Sequence, residues 1–225
     1  MLQDNSTQKN AHFNTRSFVR FFIFAAFITM LLFSLNLFLG WTFGGDSEWY
    51  ITAAEGHWDE LIAPYSSRFL HPFFVGFISQ IFSLDIYQVF LIVAVLSIFL
   101  FFVITAFILK DTLQKPIFLV PLFLLPFFFG TIREIFQPDA FYLLLTALFF
   151  LALFYKKEWV SLFILFLLFL TRESTIILGL VAMISAWVRS KKLLAVGMLL
   201  VIIISLFTTS VIGSSGGPNI HRLGN

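Results

Sequence analysis

Apolar residues recur along this chain in eight separate runs, and that recurrence fixes the solvent in which it can fold. The runs cover 21–43, 69–82, 86–109, 116–129, 140–155, 159–170, 174–188 and 193–212. The chain is 60% apolar and only 12% charged, against about 25% charged residues in a soluble domain. A fold of 225 residues could not hide so many large apolar side chains, 33 phenylalanines among them. Their natural surroundings are lipid, and the expected fold is an all-α, polytopic helical membrane protein. The first run is too long for a signal-peptide core and heads a series of similar segments, so it reads as a retained transmembrane helix. There is no cysteine, which excludes disulfides, thiolate metal sites and cysteine nucleophiles. A net charge of +2 gives no bulk attraction to nucleic acid, and no nucleic-acid partner is expected.

Charge decides which runs cross. Lys and Arg flanking membrane helices favour the cytoplasm. Lys9, Arg16 and Arg20 put the N-terminus inside, so the acidic segment 44–68 is outside. The later clusters are Lys110 with Lys115, Lys156 with Lys157, and Arg189 with Lys191 and Lys192. All three lie inside only if 69–109 crosses once. The run 69–82 covers only ~21 Å as a helix, against a hydrocarbon core of ~30 Å. It therefore reads as an interfacial or re-entrant helix, and 86–109 as the second crossing. Seven crossings result, with the C-terminus outside. The expected organisation is a cytoplasmic tail at 1–16, a helical module at 17–212 and an external tail at 213–225. Ten cations and three acids then lie inside, with four cations and nine acids outside. The four external cations, Arg68, Arg133, Arg172 and Arg222, are all arginines.

Every external loop then carries ionisable groups. The first holds Asp46, Glu48, Glu55, Asp59 and Glu60, then Arg68; the second, "GTIREIFQPDAF", holds Arg133, Glu134 and Asp139. The third, "TRES", sets Arg172 and Glu173 between apolar runs. Charges in such a place usually face a partner or a cavity. Each residue also has a plainer reading. Asp46 can be a solvated loop acid, and Asp139 an N-cap. Arg172 and Glu173 can pair with each other at the helix break, and Arg133 can snorkel to the interface. Trp49, Tyr50 and Trp58 suit an interfacial aromatic belt or a surface that stacks on sugar rings. His221 and "GSSGG" read as ordinary loop. Asp46 and Glu48 form an acid-x-acid pair that can hold a divalent cation, a weak signal, and no cofactor is required.

The ordered set "GGDSEWY", "PYSSRFLHP", "REIFQPDAF" and "TRES" resembles the N-terminal module of GT-C superfamily glycosyltransferases, over roughly residues 17–212. The resemblance implies a membrane enzyme, placed in a bacterial plasma membrane, that moves a sugar from a polyprenyl-phosphate donor to a hydroxyl acceptor. It matches Asp46 to the Asp of the first external loop that acts at the catalytic centre, Asp139 to the Asp ending the second loop, and Arg172 to the cation facing the lipid phosphate. Family members are usually longer, so this chain is expected to be a short variant, a truncated product or one part of a larger assembly.

The chemistry suits these residue types. The acceptor hydroxyl needs a positioned base, typically worth ~10²–10⁴ in rate, and Asp46 can supply it; direct displacement inverts the anomeric carbon. The departing phosphate needs guanidinium forks, for which Arg172, Arg133 and Arg68 are candidates. Glu134, Glu173 and Asp139 can orient them or bind acceptor hydroxyls, with Glu48 and Tyr50 in support. Two other classes compete: a transporter or flippase, and a non-catalytic membrane assembly subunit.

Overall fold

The computed structural model describes residues 15–39, 46–62, 64–109 and 134–215. Run 116–129, Lys110, Lys115, Arg133, His221 and Arg222 lie outside the described residues. Among those described, every regular element is helical. The α-helices are α1 (Thr15–Leu39), α2 (Ser47–Ala54), α3 (Leu70–Phe82), α4 (Ile86–Leu109), α5 (Asp139–Phe154), α6 (Glu158–Thr171), α7 (Thr175–Val188) and α8 (Lys192–Ser215). Two short 3-10 turns, Trp58–Glu60 and Tyr65–Ser67, lie between α2 and α3. Among the described residues two helices are long and apolar enough to cross a membrane, Ile86–Leu109 and Lys192–Val211.

The helices pack in two groups. The first joins α1, α2, α3, α4 and the turn before α5 through Phe33, Val75, Phe90, Ile98 and Phe136. The second joins α5 to α8 through Phe149, Leu165, Leu168 and Met198. Helix α3 lies across the join. His71, buried, packs its ring on Phe90 of α4 at 5.4 Å and on Phe141 of α5 at 5.6 Å. Gly76 lets α2 come close, since a Cβ there would stand 2.3 Å from the Ala54 carbonyl oxygen. On the outward faces Phe27, Met30, Phe163, Ile177, Val181 and Phe207 are exposed.

Side-chain contacts fix which ends lie together. Phe107 of α4 stacks on Tyr155 after α5, and Lys191 reaches Glu158 at 3.3 Å. Lys156 and Lys157 sit in that turn, where Lys156 takes a left-handed conformation, φ 55°. Asp139 and Arg172 occupy the opposite ends of α5 and α6. Helices α6 and α8 run parallel, with Leu162 resting on Gly197. That register sets the end of α6 at Thr171 short of the end of α8 at Ser215. Helices α5, α6 and α7, of 16, 14 and 14 residues, reach only about 21–24 Å. The 3-10 turn at Tyr65–Ser67 packs on α8. The break between α6 and α7 is therefore recessed below the end of α8.

Candidate functional site

The segment 46–69 builds one wall of the site, and its local fold follows from its residues. Asp46 holds the N-cap position of α2 but makes no capping bond. Its Oδ1 instead accepts the phenolic proton of Tyr65 at 2.6 Å. Pro64 starts the 3-10 turn that carries Tyr65 back over α2. The Tyr65 ring is held by its neighbours: Trp49 stacks on it at 5.8 Å and 9°, and Tyr50 meets it edge-on at 5.7 Å. Tyr50 lies on the inner face of α2, is only 1% exposed, and accepts a hydrogen bond from Arg68 Nη1 at 3.1 Å.

The other wall is the break between α6 and α7. Arg68 Nε donates to both carboxylate oxygens of Glu173, at 2.9 and 3.1 Å, and the Ser67 hydroxyl donates to Glu173 Oε1 at 2.9 Å. Arg172 pairs with Asp139 at the start of α5. The two adjacent residues of the break thus pair in opposite directions, one into the first loop and one into the second. Thr175 steadies the break by donating to the Leu168 carbonyl at 3.0 Å.

The electrostatics follow from these contacts. The hydrogen bond to Asp46, with burial and the carboxylate charge behind it, pushes the Tyr65 phenol up to about 12. Burial raises the Tyr50 phenol, and the Arg68 guanidinium opposes it. Arg172 lies near enough to act on the Tyr50 phenol as well, which ties both ion pairs to one region. Burial disfavours the charge on Arg68, but Tyr50 and Glu173 outweigh it and hold the guanidinium above its usual range. Among the described residues the cluster sets three carboxylates against two guanidiniums, a formal excess of one negative charge.

The expected residues are distributed as follows. Asp46, Tyr50, Arg68, Asp139, Arg172 and Glu173 come together at one end of the helices. Glu48 is exposed on the first turn of α2, and Glu134, partly exposed, stands in the turn before α5 and outside the two ion pairs. Three local readings are corrected. Asp139 is not an N-cap: Pro138 holds that position, and Asp139 is the first residue of α5. Arg172 and Glu173 do not pair with each other, because the extended backbone at Arg172 (φ −160°, ψ 133°) separates their side chains. Tyr50 belongs to no interfacial belt, since it is buried beneath Tyr65. Sequence reasoning missed Tyr65 and Ser67, which carry no charge; the only signal was their place in "PYSSR", directly before Arg68. Among the described residues no group of three or more His, Cys, Asp or Glu side chains is placed to hold a metal ion. No family model, no curated protein and no solved structure matches the chain.

Proposed function

We propose that this chain is a membrane-embedded glycosyltransferase of the GT-C type, moving a sugar from a polyprenyl-phosphate donor to an acceptor hydroxyl with inversion. The observation that carries the reading is the convergence of Asp46, Arg68, Asp139, Arg172 and Glu173, from three segments far apart in sequence, around one recessed break. The exposed apolar flanks and the two long apolar helices support a bilayer setting,. Charge asymmetry supports seven crossings, with Asp46 on the external side, the lysines on the cytoplasmic side, and α3 lying in the outer interface.

A lipid-borne donor keeps its tail in the bilayer, so its anomeric carbon must react near the outer interface. The break between α6 and α7 lies at the helix ends that carry Asp46, opposite the turn of Lys156 and Lys157, which suits that placement. In this reading Tyr65 holds one oxygen of Asp46, and the other takes the acceptor proton. The hydroxyl oxygen bonds to the anomeric carbon as the bond to the lipid phosphate breaks, and the phosphate leaves as an anion. Arginine meets that anion, because its fork stays charged in a low dielectric. Asp139 orients Arg172 through their ion pair.

The test is incubation of the full chain, in lipid nanodiscs, with a labelled polyprenyl-phosphate sugar and a panel of hydroxyl acceptors. The expected result is label transferred to an acceptor with the inverted anomeric configuration. Label carried across a liposome membrane with no transfer to any acceptor would instead support the transporter reading.

A further inference from the structure

The two arginines of the site are held unequally. Arg172 is closed by Asp139, whose side chain is only 14% exposed, whereas Arg68 is closed by Glu173, which is 42% exposed. Arg68 is itself fixed from behind. Its Nη1 donates to the buried Tyr50, its guanidinium carbon lies 6.0 Å from the centre of the Tyr65 ring, and its side chain is 19% exposed. The donors are therefore held in place, and the acceptor, Glu173, is the group with access to solvent. The Ser67 hydroxyl has one proton and two acceptors, the Pro64 carbonyl at 2.6 Å and Glu173 at 2.9 Å. It can turn between them without moving the backbone.

A carboxylate gripped by a guanidinium Nε–H and a hydroxyl occupies the donor set that a phosphate oxygen pair requires. Glu173 keeps these donors from an incoming anion for as long as it stays in place. We propose that Arg68 and Ser67 are the seat of the lipid-borne phosphate, and that the Glu173 carboxylate is a resident stand-in which the phosphate displaces. This rests on the polyprenyl-phosphate reading and assigns the phosphate to Arg68, while Arg172 stays with Asp139. Displacement frees Glu173 alone, since the 64–69 segment stays held by Tyr65 on Asp46, by Arg68 on Tyr50 and by its packing on α8.

The experiment measures binding alone, with polyprenyl phosphate lacking a sugar, on the full chain in nanodiscs of neutral phospholipid. Glu173→Gln keeps the shape of the side chain and removes its charge; it is expected to bind the lipid phosphate about tenfold more tightly, the scale of one charge-assisted hydrogen bond. Arg68→Gln is expected to weaken binding about tenfold, Ser67→Ala about threefold, and Arg172→Gln by less than Arg68→Gln. Glu173→Gln binding no more tightly than wild type, at unchanged thermal stability, overturns the proposal. So does a larger loss in Arg172→Gln than in Arg68→Gln. Should Glu173→Gln fail to fold, Ser67→Ala decides, and wild-type affinity there overturns it. Glycerol phosphate serves as the soluble arm; equal affinity for it and for the lipid overturns the lipid source. Failure of the transferase reading has a different signature, namely lipid phosphate bound and tightened by Glu173→Gln with no sugar transferred.

Discussion

Tyr65 donates its phenolic proton to Asp46 at 2.6 Å, joining residues nineteen positions apart. The bond aims the carboxylate and gives the phenol a signature that can be read directly. The hydrogen bond to the carboxylate raises Tyr65 to about 12 from an ordinary 10.0. A raised phenol favours the neutral form in the folded state. Its contribution is complete below pH 10 and is lost as pH rises from there through about 12. Titration of ring-labelled tyrosine by NMR should show a phenol near 12 that is absent in Tyr65→Phe. In Asp46→Asn that resonance should move back toward 10. A Tyr65 that titrates near 10 in the wild-type chain would remove this bond from the account.

The ion pair between Arg172 and Asp139 links the α6–α7 break to the start of α5, and both side chains are less than one-third exposed. Removing one partner leaves the other charge in a poorly solvated place. Asp139→Asn and Arg172→Gln should each lower stability by about 2–3 kcal/mol. The double variant should recover part of the loss, because neither charge is then left alone. Thermal unfolding in one detergent, run as a four-member cycle, measures the coupling; strictly additive losses would mean the pair does not form.

Gly76 sets how closely α2 can approach α3. The atom a Cβ would meet, at 2.3 Å, is the backbone oxygen of Ala54, which cannot rotate away. Gly197 is different: its nearest neighbour, at 2.8 Å, is the flexible end of Leu162. Gly76→Ala should therefore cost roughly 1–3 kcal/mol and shift α2 with Asp46, while Gly197→Ala should cost less. Unfolding temperatures of the two variants, with transfer rates, test this. Equal temperatures would argue that α2 does not dock as described.

Much of the helical layout was legible from apolar runs. The run 86–109 coincides with α4, and 69–82 differs from α3 by one residue, because a mostly apolar run free of acids, Lys and Arg, bounded by charge or small polar residues, marks both ends. The helix in the acidic loop was not foreseen. Asp46, Glu48 and Glu55 dominate that stretch, yet Tyr50, Ile51, Ala53 and Ala54 form a buried face within it. The charged members of the site were legible because charge between apolar runs needs a reason. Their pairing was not, since nothing local says that Glu173 reaches Arg68, 105 residues away, in preference to its neighbour Arg172. Tyr65 was hidden for a related reason: its role comes from a tertiary contact.

Sidedness yields a further prediction. The chain has no cysteine, so single cysteines can be introduced without background. Glu48→Cys and Trp159→Cys occupy exposed positions at opposite ends of the described helices. In intact cells a membrane-impermeant maleimide should label the first and not the second until the cells are opened. Labelling of both from outside would remove the separation of Asp46 from the lysine face.

Turnover distinguishes Asp46 as the base of the proposed sugar transfer from Asp46 as a structural anchor for Tyr65. Full chain in nanodiscs, given a polyprenyl-phosphate sugar and its acceptor, should lose about 10²–10⁴ in rate on Asp46→Asn. Affinity for the lipid phosphate should stay close to wild type, and stability should fall by no more than the Tyr65 hydrogen bond contributes, about 1.5–3 kcal/mol,. Undiminished transfer by Asp46→Asn would contradict the account.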